Sequence, residues 1–116
     1  MGEKLIDMKK NRLIAEFMQL PTEVFQLSGI LNYGFDGAWY EEEELSYHLS
    51  WSWLMPVLDK IYSLGYHYEI QPRGMVIEGW HSSEVLVSKC FVYDKSQKEI
   101  IYDSVVEFIN QYNKNK

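Results

Sequence analysis

The sequence predicts an α+β fold in which helices pack against an antiparallel sheet of about three strands. Apolar side chains recur at helical spacing near residues 7–18, 50–64 and 97–112, which indicates three amphipathic helices. Between the second and third of these segments, residues 66–93 alternate apolar and polar side chains and are interrupted by short polar turns. Strands joined by such short connections pair antiparallel, so they are expected to form a meander.

Size and composition favour one soluble domain. The chain has 116 residues and no linker, which predicts a single domain spanning residues 1–116 with a frayed polar tail at residues 113–116. The one cysteine, Cys90, cannot form an internal disulfide, so a reducing compartment is expected. The N-terminal residues lack the apolar core of a signal peptide, and no apolar run reaches the length of a membrane span. These features predict a soluble, cytoplasmic protein.

The first helix and the segment after it differ in regularity. Ile6, Leu13 and Phe17 fall on one side of a helix near residues 7–18, which ends before Pro21 because the residue preceding a proline avoids helical angles.

Residues 20–49 lack a clear period, and Gly29, Gly34 and Gly37 separate their short apolar clusters. They are predicted to form a long irregular connection, of the kind that is often functional. Within it, residues 45–49 alternate and are interpreted as a short edge strand.

The second helix, at residues 50–64, is expected to be the most buried. Ser50 or Ser52 can cap its start, and Gly65 stands where a left-handed residue ends a helix. Pro56 favours a start at Ser52 or a kink, because proline beyond the first turn removes a backbone hydrogen bond. The predicted apolar face consists of Trp51, Leu54, Val57, Leu58 and Ile61, widened by Trp53 and Leu64.

Three strands and the last helix follow. The strands are predicted at residues 66–71, 75–80 and 84–93. Ser96 and Glu99 have the spacing of a capping box, which predicts the start of the helix at residues 97–112.

The negative charge is concentrated in the middle of the chain. Residues 13–59 carry eight acidic side chains and neither Lys nor Arg, whereas residues 1–12 carry a net charge of +2 and residues 60–116 are balanced. The acidity peaks at the four consecutive glutamates 41–44. Such a segment repels phosphate, so direct binding of nucleic acid is not expected.

Three stretches of the sequence carry a resemblance to a known family. They are NRLIAEFM at residues 11–18, YHLSWSWLMPV at residues 47–57, and VVEFI followed by YN at residues 105–113. In order and spacing they resemble the phage ABA sandwich domain family, although Ser52 stands where that family often has Asp and Gln111 where it often has Trp. The resemblance implies a sheet with helices on both faces, a three-layer α/β/α-type sandwich. It also implies phage or mobile-element ancestry and a bacterial host, and it brings no activity or catalytic residue.

The candidate partner-binding surface is the acidic–aromatic segment, residues 36–44. Acidic side chains interleaved with rings suit docking against a basic patch on a host or phage protein, with the rings as anchors. Mimicry of nucleic-acid charge and a merely solubilising loop remain alternatives. Its members are Asp36, Trp39, Tyr40, Glu41, Glu42, Glu43 and Glu44.

A second hypothesis is a small-ligand or nucleotide-binding domain. Rings with a few polar groups are typical of small-molecule sites, and His48, Trp53, His67 and Trp80 are the candidate residues. The alternative for the tryptophans is packing of the second helix on the sheet.

Catalytic and metal chemistry has the least support in the sequence. His67, Glu69 and His81 form a conceivable metal or acid–base cluster, but only if the strand register places them together. Cys90 has the pattern of a small buried hydrophobe. No cofactor, metal or catalytic residue is therefore predicted.

Overall fold

A computed structural model describes residues 2–79, 85–89 and 92–114, which contain three α-helices and two antiparallel three-stranded sheets. The predicted α+β class is therefore confirmed. The chain divides into two compact units, the N-terminal unit Met1–Ser46 and the C-terminal unit Tyr47–Lys116. The helices are α1 (Gly2–Phe17), α2 (Trp51–Ser63) and α3 (Gln97–Lys114), and the strands are β1 (Thr22–Val24), β2 (Leu31–Phe35), β3 (Ala38–Glu41), β4 (Tyr66–Gln71), β5 (Gly74–Gly79) and β6 (Val85–Lys89).

The N-terminal unit contains a sheet where the sequence predicted an irregular connection. Its strands are ordered β1-β2-β3, and all neighbours pair antiparallel. Asp36 and Gly37 join β2 to β3 with φ angles of 50° and 82°, the left-handed pair that a two-residue hairpin turn requires. The prediction for residues 20–49 is wrong because this turn and the pairing across it order the chain.

Contacts between α1 and the residues after β3 complete this unit. The 3-10 helix Glu42–Glu44 follows β3 and contacts α1. Within the unit, the buried amide of Asn11 donates a 2.9 Å hydrogen bond to the carbonyl oxygen of Leu45. Leu45 ends the 3-10 helix, and residues 47–49 form a turn, so the edge strand predicted at residues 45–49 is wrong.

The C-terminal unit contains the predicted meander, in the order β4-β5-β6. β4 spans the predicted residues, and β5 begins one residue earlier than predicted. β6 is shorter than predicted, because Val92 and Tyr93 do not belong to it. Trp80 of the second predicted strand and residues 84 and 90–91 of the third lie outside the described residues.

The register of this sheet gives it one apolar and one polar face. Tyr68, Ile77 and Val87 are cross-strand partners and share a face. Tyr66 lies on that face too, and its ring packs edge-on against Phe108 of α3 with centroids 4.9 Å apart. α3 therefore covers the apolar face, lying across β5 and β6, while α2 contacts β4 and α3. The three-layer arrangement remains a prediction.

Local sequence signals set the ends of α2 and α3. Gly65, which follows the C-cap residue Leu64 of α2, has a φ of +96°, as predicted. At the start of α3, the hydroxyl of Ser96 accepts a 3.2 Å hydrogen bond from the backbone of Glu99, whose carboxylate accepts one of 3.3 Å in return. The predicted capping box is thus confirmed, and α3 continues to Lys114, two residues beyond its predicted end at residue 112.

The burial of α2 differs from prediction at its first turn. Ser50 occupies the N-cap position and Pro56 lies inside the helix. With this start, Trp53 is 7% exposed and Trp51 is 40% exposed, so the apolar face includes the former and not the latter. Among the described residues, no helix combines the length and apolar composition that crossing a membrane requires.

Candidate functional site

The acidic–aromatic segment forms one edge of the N-terminal sheet. Asp36 lies in the β2–β3 turn, β3 carries Trp39, Tyr40 and Glu41, and the remaining three glutamates form the 3-10 helix. β3 is an edge strand, because it pairs with β2 on one side and no other described strand pairs with it. The structure thus orders the whole predicted segment along a rim.

The two aromatic rings of the segment point to opposite faces of the sheet. Side chains alternate along a strand, so Trp39 and Tyr40 cannot anchor the same partner surface. Tyr40 is paired with Tyr33, whose side chain is only 4% exposed. Trp39 is 43% exposed, which makes its face the one available for docking.

Trp39 is held in place by its neighbours within the N-terminal unit. It lies opposite Gly34 in the register, and a Cβ atom at residue 34 would be 3.3 Å from Trp39 Cζ3 and 3.4 Å from Pro21 Cγ. The ring of Phe25 contacts the indole edge-on, with centroids 5.9 Å apart. The exposed ring is thus supported from below by glycine backbone and from one side by a second ring.

An open groove lies beside this indole. Its volume is about 460 Å³, and it runs from Leu20 and Pro21 over Gly34 to the Asp36-Gly37 turn and Trp39. Most of its lining is apolar. Asp36 is the only ionisable residue among the described residues that line the groove.

The hairpin of β1 and β2 adds an apolar surface that the sequence did not reveal. Five large apolar side chains near the tip of this hairpin are at least 36% exposed, and one of them, Leu27, is fully exposed. The two apolar pairs on either side of Gly29 belong to the predicted irregular connection, whereas in the structure a hairpin tip presents them outward. The exposed residues are Val24, Phe25, Leu27, Ile30 and Leu31.

The carboxylates on the rim interact with each other. A hydrogen bond with Glu43 raises the pKa of Glu41, and desolvation and the negative charges of Glu43 and Glu44 add to this effect. Arg12 of α1 lies 3.7 Å from Glu42, so one glutamate of the four is partly neutralised. Burial, followed by the charge of Glu42, also raises the pKa of Tyr33.

The residues proposed for a small-ligand site serve several roles in the C-terminal unit. Trp53 is buried and packs edge-on against Tyr47, with centroids 5.2 Å apart, which favours the packing interpretation. The ring of His48 lies 6.1 Å from that of Tyr102. His67 projects from the polar face of the sheet, opposite Glu78, and Trp80 lies outside the described residues.

The structure describes two of the three residues of the conceivable metal or acid–base cluster. His67 and Glu69 share a face of β4, as predicted, whereas His81 and Cys90 lie outside the described residues. Within the part of the chain that the structure describes, no group of three or more His, Cys, Asp or Glu side chains is arranged to hold a metal ion.

One buried polar atom belongs to Tyr47, whose ring packs against Trp53. The Tyr47 side chain is fully buried, and its hydroxyl makes no hydrogen bond with the residues that the structure describes. Burial raises the pKa of Tyr47, so the phenol is neutral.

Comparisons of the chain with protein-family models, curated proteins and solved structures give no match. The function must therefore be argued from the chemistry of the site itself.

Proposed function

We propose that this protein is a non-enzymatic interaction module that docks on a basic protein surface through the Trp39 face of its N-terminal sheet. The observation that carries this proposal is a half-exposed indole held in place beside acidic side chains on a sheet edge. Tryptophan is enriched among the residues that dominate binding energy at protein interfaces. A ring already fixed by its own sheet loses little conformational entropy on binding.

The charge around this ring defines the partner. From residue 13 to residue 46 the chain carries seven acidic side chains and neither Lys nor Arg. A surface of one sign attracts a complementary partner, raises its association rate and disfavours acidic competitors such as nucleic acid. Given the sequence resemblance to phage ABA sandwich domain proteins, we expect the partner to be a host or phage protein with a basic surface.

The exposed apolar side chains of the β1–β2 hairpin support the same proposal. Contiguous exposed apolar residues next to polar ones commonly indicate a protein interface. Phe25 belongs to this hairpin and also contacts Trp39, so the apolar surface continues into the indole. The proposed interface therefore has an apolar centre and an acidic rim, and an apolar centre within a polar rim is the usual arrangement of such surfaces.

Affinity purification with matched variants tests the proposal. The tagged protein is incubated with a bacterial lysate, and the bound proteins are quantified by mass spectrometry. Trp39→Ala and Glu43→Lys should reduce recovery of the main partner by at least about tenfold, because each removes an interface determinant. Glu69→Lys makes the same charge change at an exposed position of β4 and should leave recovery unchanged.

Circular dichroism melting shows that each variant is folded before its recovery is interpreted. Raising the salt concentration should also release the partner, since exposed charges are screened. The proposal is wrong if Trp39→Ala and Glu43→Lys recover the partner as well as the wild type does, or if Glu69→Lys loses it equally.

A further inference from the structure

We infer that the groove between Trp39 and the Asp36-Gly37 turn binds an arginine side chain of the partner, with the guanidinium stacked on the indole and paired with Asp36. This inference rests on the proposed function, because it names the group through which a basic partner is anchored. It adds a defined subsite to an interface otherwise described by its charge.

The shape of the groove suits a flat group. Gly34 forms its floor without a side chain, and the ring of Trp39 stands directly over that backbone, 3.3 Å from where a Cβ atom would lie. Pro21 provides a second rigid contact, 3.4 Å from the same point. A planar group can therefore lie against the exposed part of the indole, and the volume of about 460 Å³ leaves space for its aliphatic stem.

The charge of the groove comes from Asp36. This side chain makes no ion pair with any residue that the structure describes, whereas Arg12 of the same unit pairs with Glu16 and Glu42. The left-handed turn fixes the backbone of Asp36 beside the groove. A partner cation would thus meet a carboxylate whose backbone is already fixed beside the groove.

Arginine fits this combination better than other groups. Its guanidinium is planar, stacks on aromatic rings and can make two parallel hydrogen bonds to one carboxylate. Lysine carries a compact and strongly hydrated charge, so it can be attracted to Asp36 but cannot stack flat on the indole. An aliphatic side chain would desolvate the Asp36 carboxylate without pairing it, and a phosphate group would be repelled by it.

The test uses hexa-arginine and hexalysine peptides as probes, followed by NMR on isotope-labelled protein. The arginine peptide should shift the indole N–H resonance of Trp39 and the backbone amide of Gly37, and it should bind more tightly than the lysine peptide. Asp36→Asn should weaken its binding by about tenfold, as expected for loss of a charge-assisted hydrogen bond. The turn should persist in that variant, since Asn-Gly is a favoured pair for such hairpins.

Glu23→Gln is the matched control. It removes the same charge from an exposed position of the same sheet, and Glu23 does not line the groove. We expect it to change the affinity less than about twofold, because a single exposed charge contributes little to an interaction at a distance.

Three outcomes would overturn the inference. They are equal weakening by Asp36→Asn and Glu23→Gln, equal affinity for the two peptides, and shifts of Trp39 that depend on protein concentration alone, which would indicate a second copy as the occupant. Each of them can occur while lysate recovery still depends on Trp39 and Glu43. Failure of the subsite is therefore distinguishable from failure of the proposed function.

Discussion

Gly34 and Trp39 lie opposite each other on β2 and β3, and the indole occupies the space that a side chain at residue 34 would need. This pairing explains a glycine inside a strand, where it is otherwise unfavourable. It also makes the orientation of the exposed ring depend on one small residue. A substitution of Gly34 should therefore affect the candidate interface, just as a substitution of Trp39 itself should.

Gly34→Ala should destabilise the N-terminal sheet and displace Trp39. The new Cβ atom would lie 3.3 Å from the indole and 3.4 Å from Pro21, two rigid groups, so we expect a loss of about 1 kcal/mol, as for mild overpacking. In a Trp39→Ala background the same change should cost clearly less, because only the contact with Pro21 remains. Urea denaturation, monitored by circular dichroism, gives the free energies of unfolding for this double-mutant cycle. An equal loss of unfolding free energy in both backgrounds would contradict the prediction.

Gly37→Ala should destabilise the β2–β3 hairpin through its backbone alone. Gly37 has a φ of +82°, and a Cβ atom there would meet no other group within 4 Å, so packing contributes nothing. The left-handed conformation costs about 1–2 kcal/mol for an L-residue with a side chain. At the neighbouring position, Asp36→Asn should leave the melting temperature unchanged. Thermal melting of the two variants compares these effects, and similar melting temperatures would argue against the turn.

Local signals in the sequence were sufficient for much of the C-terminal unit. Ser96 and Glu99 predicted the start of α3 because a capping box is a purely local interaction, and Gly65 predicted the end of α2 for the same reason. The alternation at residues 66–71 likewise gave the bounds of β4. The burial of Trp51 and Trp53 was harder to predict, because it depends on where α2 begins relative to the elements that pack against it.

The N-terminal sheet was missed although it contains a strong hairpin signal. Asp36-Gly37 is one of the dipeptides that favour two-residue hairpin turns, but Gly34 and Asn32 interrupt the alternation of the preceding strand. Only the pairing of Gly34 with Trp39 reveals why that strand tolerates glycine. The residues of the acidic–aromatic segment were identified from sequence, whereas the groove beside Trp39 depends on cross-strand register, which no local pattern specifies.

Asn11→Ala should destabilise the N-terminal unit by about 1–3 kcal/mol, the cost of leaving a buried polar group unpaired. The amide of Asn11 is buried and donates to the carbonyl oxygen of Leu45 across 34 positions of sequence. Asn11→Asp should cost more, because a carboxylate cannot donate that hydrogen bond. Lys9→Ala, an exposed change on the same helix, is the control and should have little effect in urea denaturation. If Asn11→Ala unfolds at the same urea concentration as the wild type, the stabilising role of this hydrogen bond is contradicted.

Tyr47→Phe should be neutral or stabilising by up to about 1 kcal/mol, because it removes a buried hydroxyl that has no hydrogen-bond partner among the described residues. The edge-on contact with Trp53 is retained by phenylalanine. Tyr47→Ala removes the ring as well and should cost about 3–5 kcal/mol. Differential scanning calorimetry measures both variants. A substantial loss in Tyr47→Phe would show that the hydroxyl has a partner.

Glu41 should titrate above an ordinary glutamate, and its charge should oppose folding at neutral pH. The hydrogen bond with Glu43 raises the pKa of Glu41 first, with desolvation and the charges of Glu43 and Glu44 as further causes. A carboxyl group with a raised pKa in the folded state stabilises the fold fully below its unfolded pKa. That contribution is lost as the pH rises through the folded pKa. Glu41→Gln should therefore raise the melting temperature relative to wild type at about pH 7, and the difference should shrink at about pH 4.

NMR titration of the Glu41 carboxyl carbon identifies the cause of this shift. In Glu43→Gln the pKa of Glu41 should fall towards its ordinary value, because the amide cannot share a proton with the carboxyl group and carries no charge. Glu69→Gln on β4 should leave the pKa of Glu41 unchanged. A shift of Glu41 that survives Glu43→Gln would mean that desolvation or Glu44 is the main cause. Because protonation of Glu41 removes negative charge from the rim, affinity for a basic partner should decrease as the pH falls through the raised pKa of Glu41.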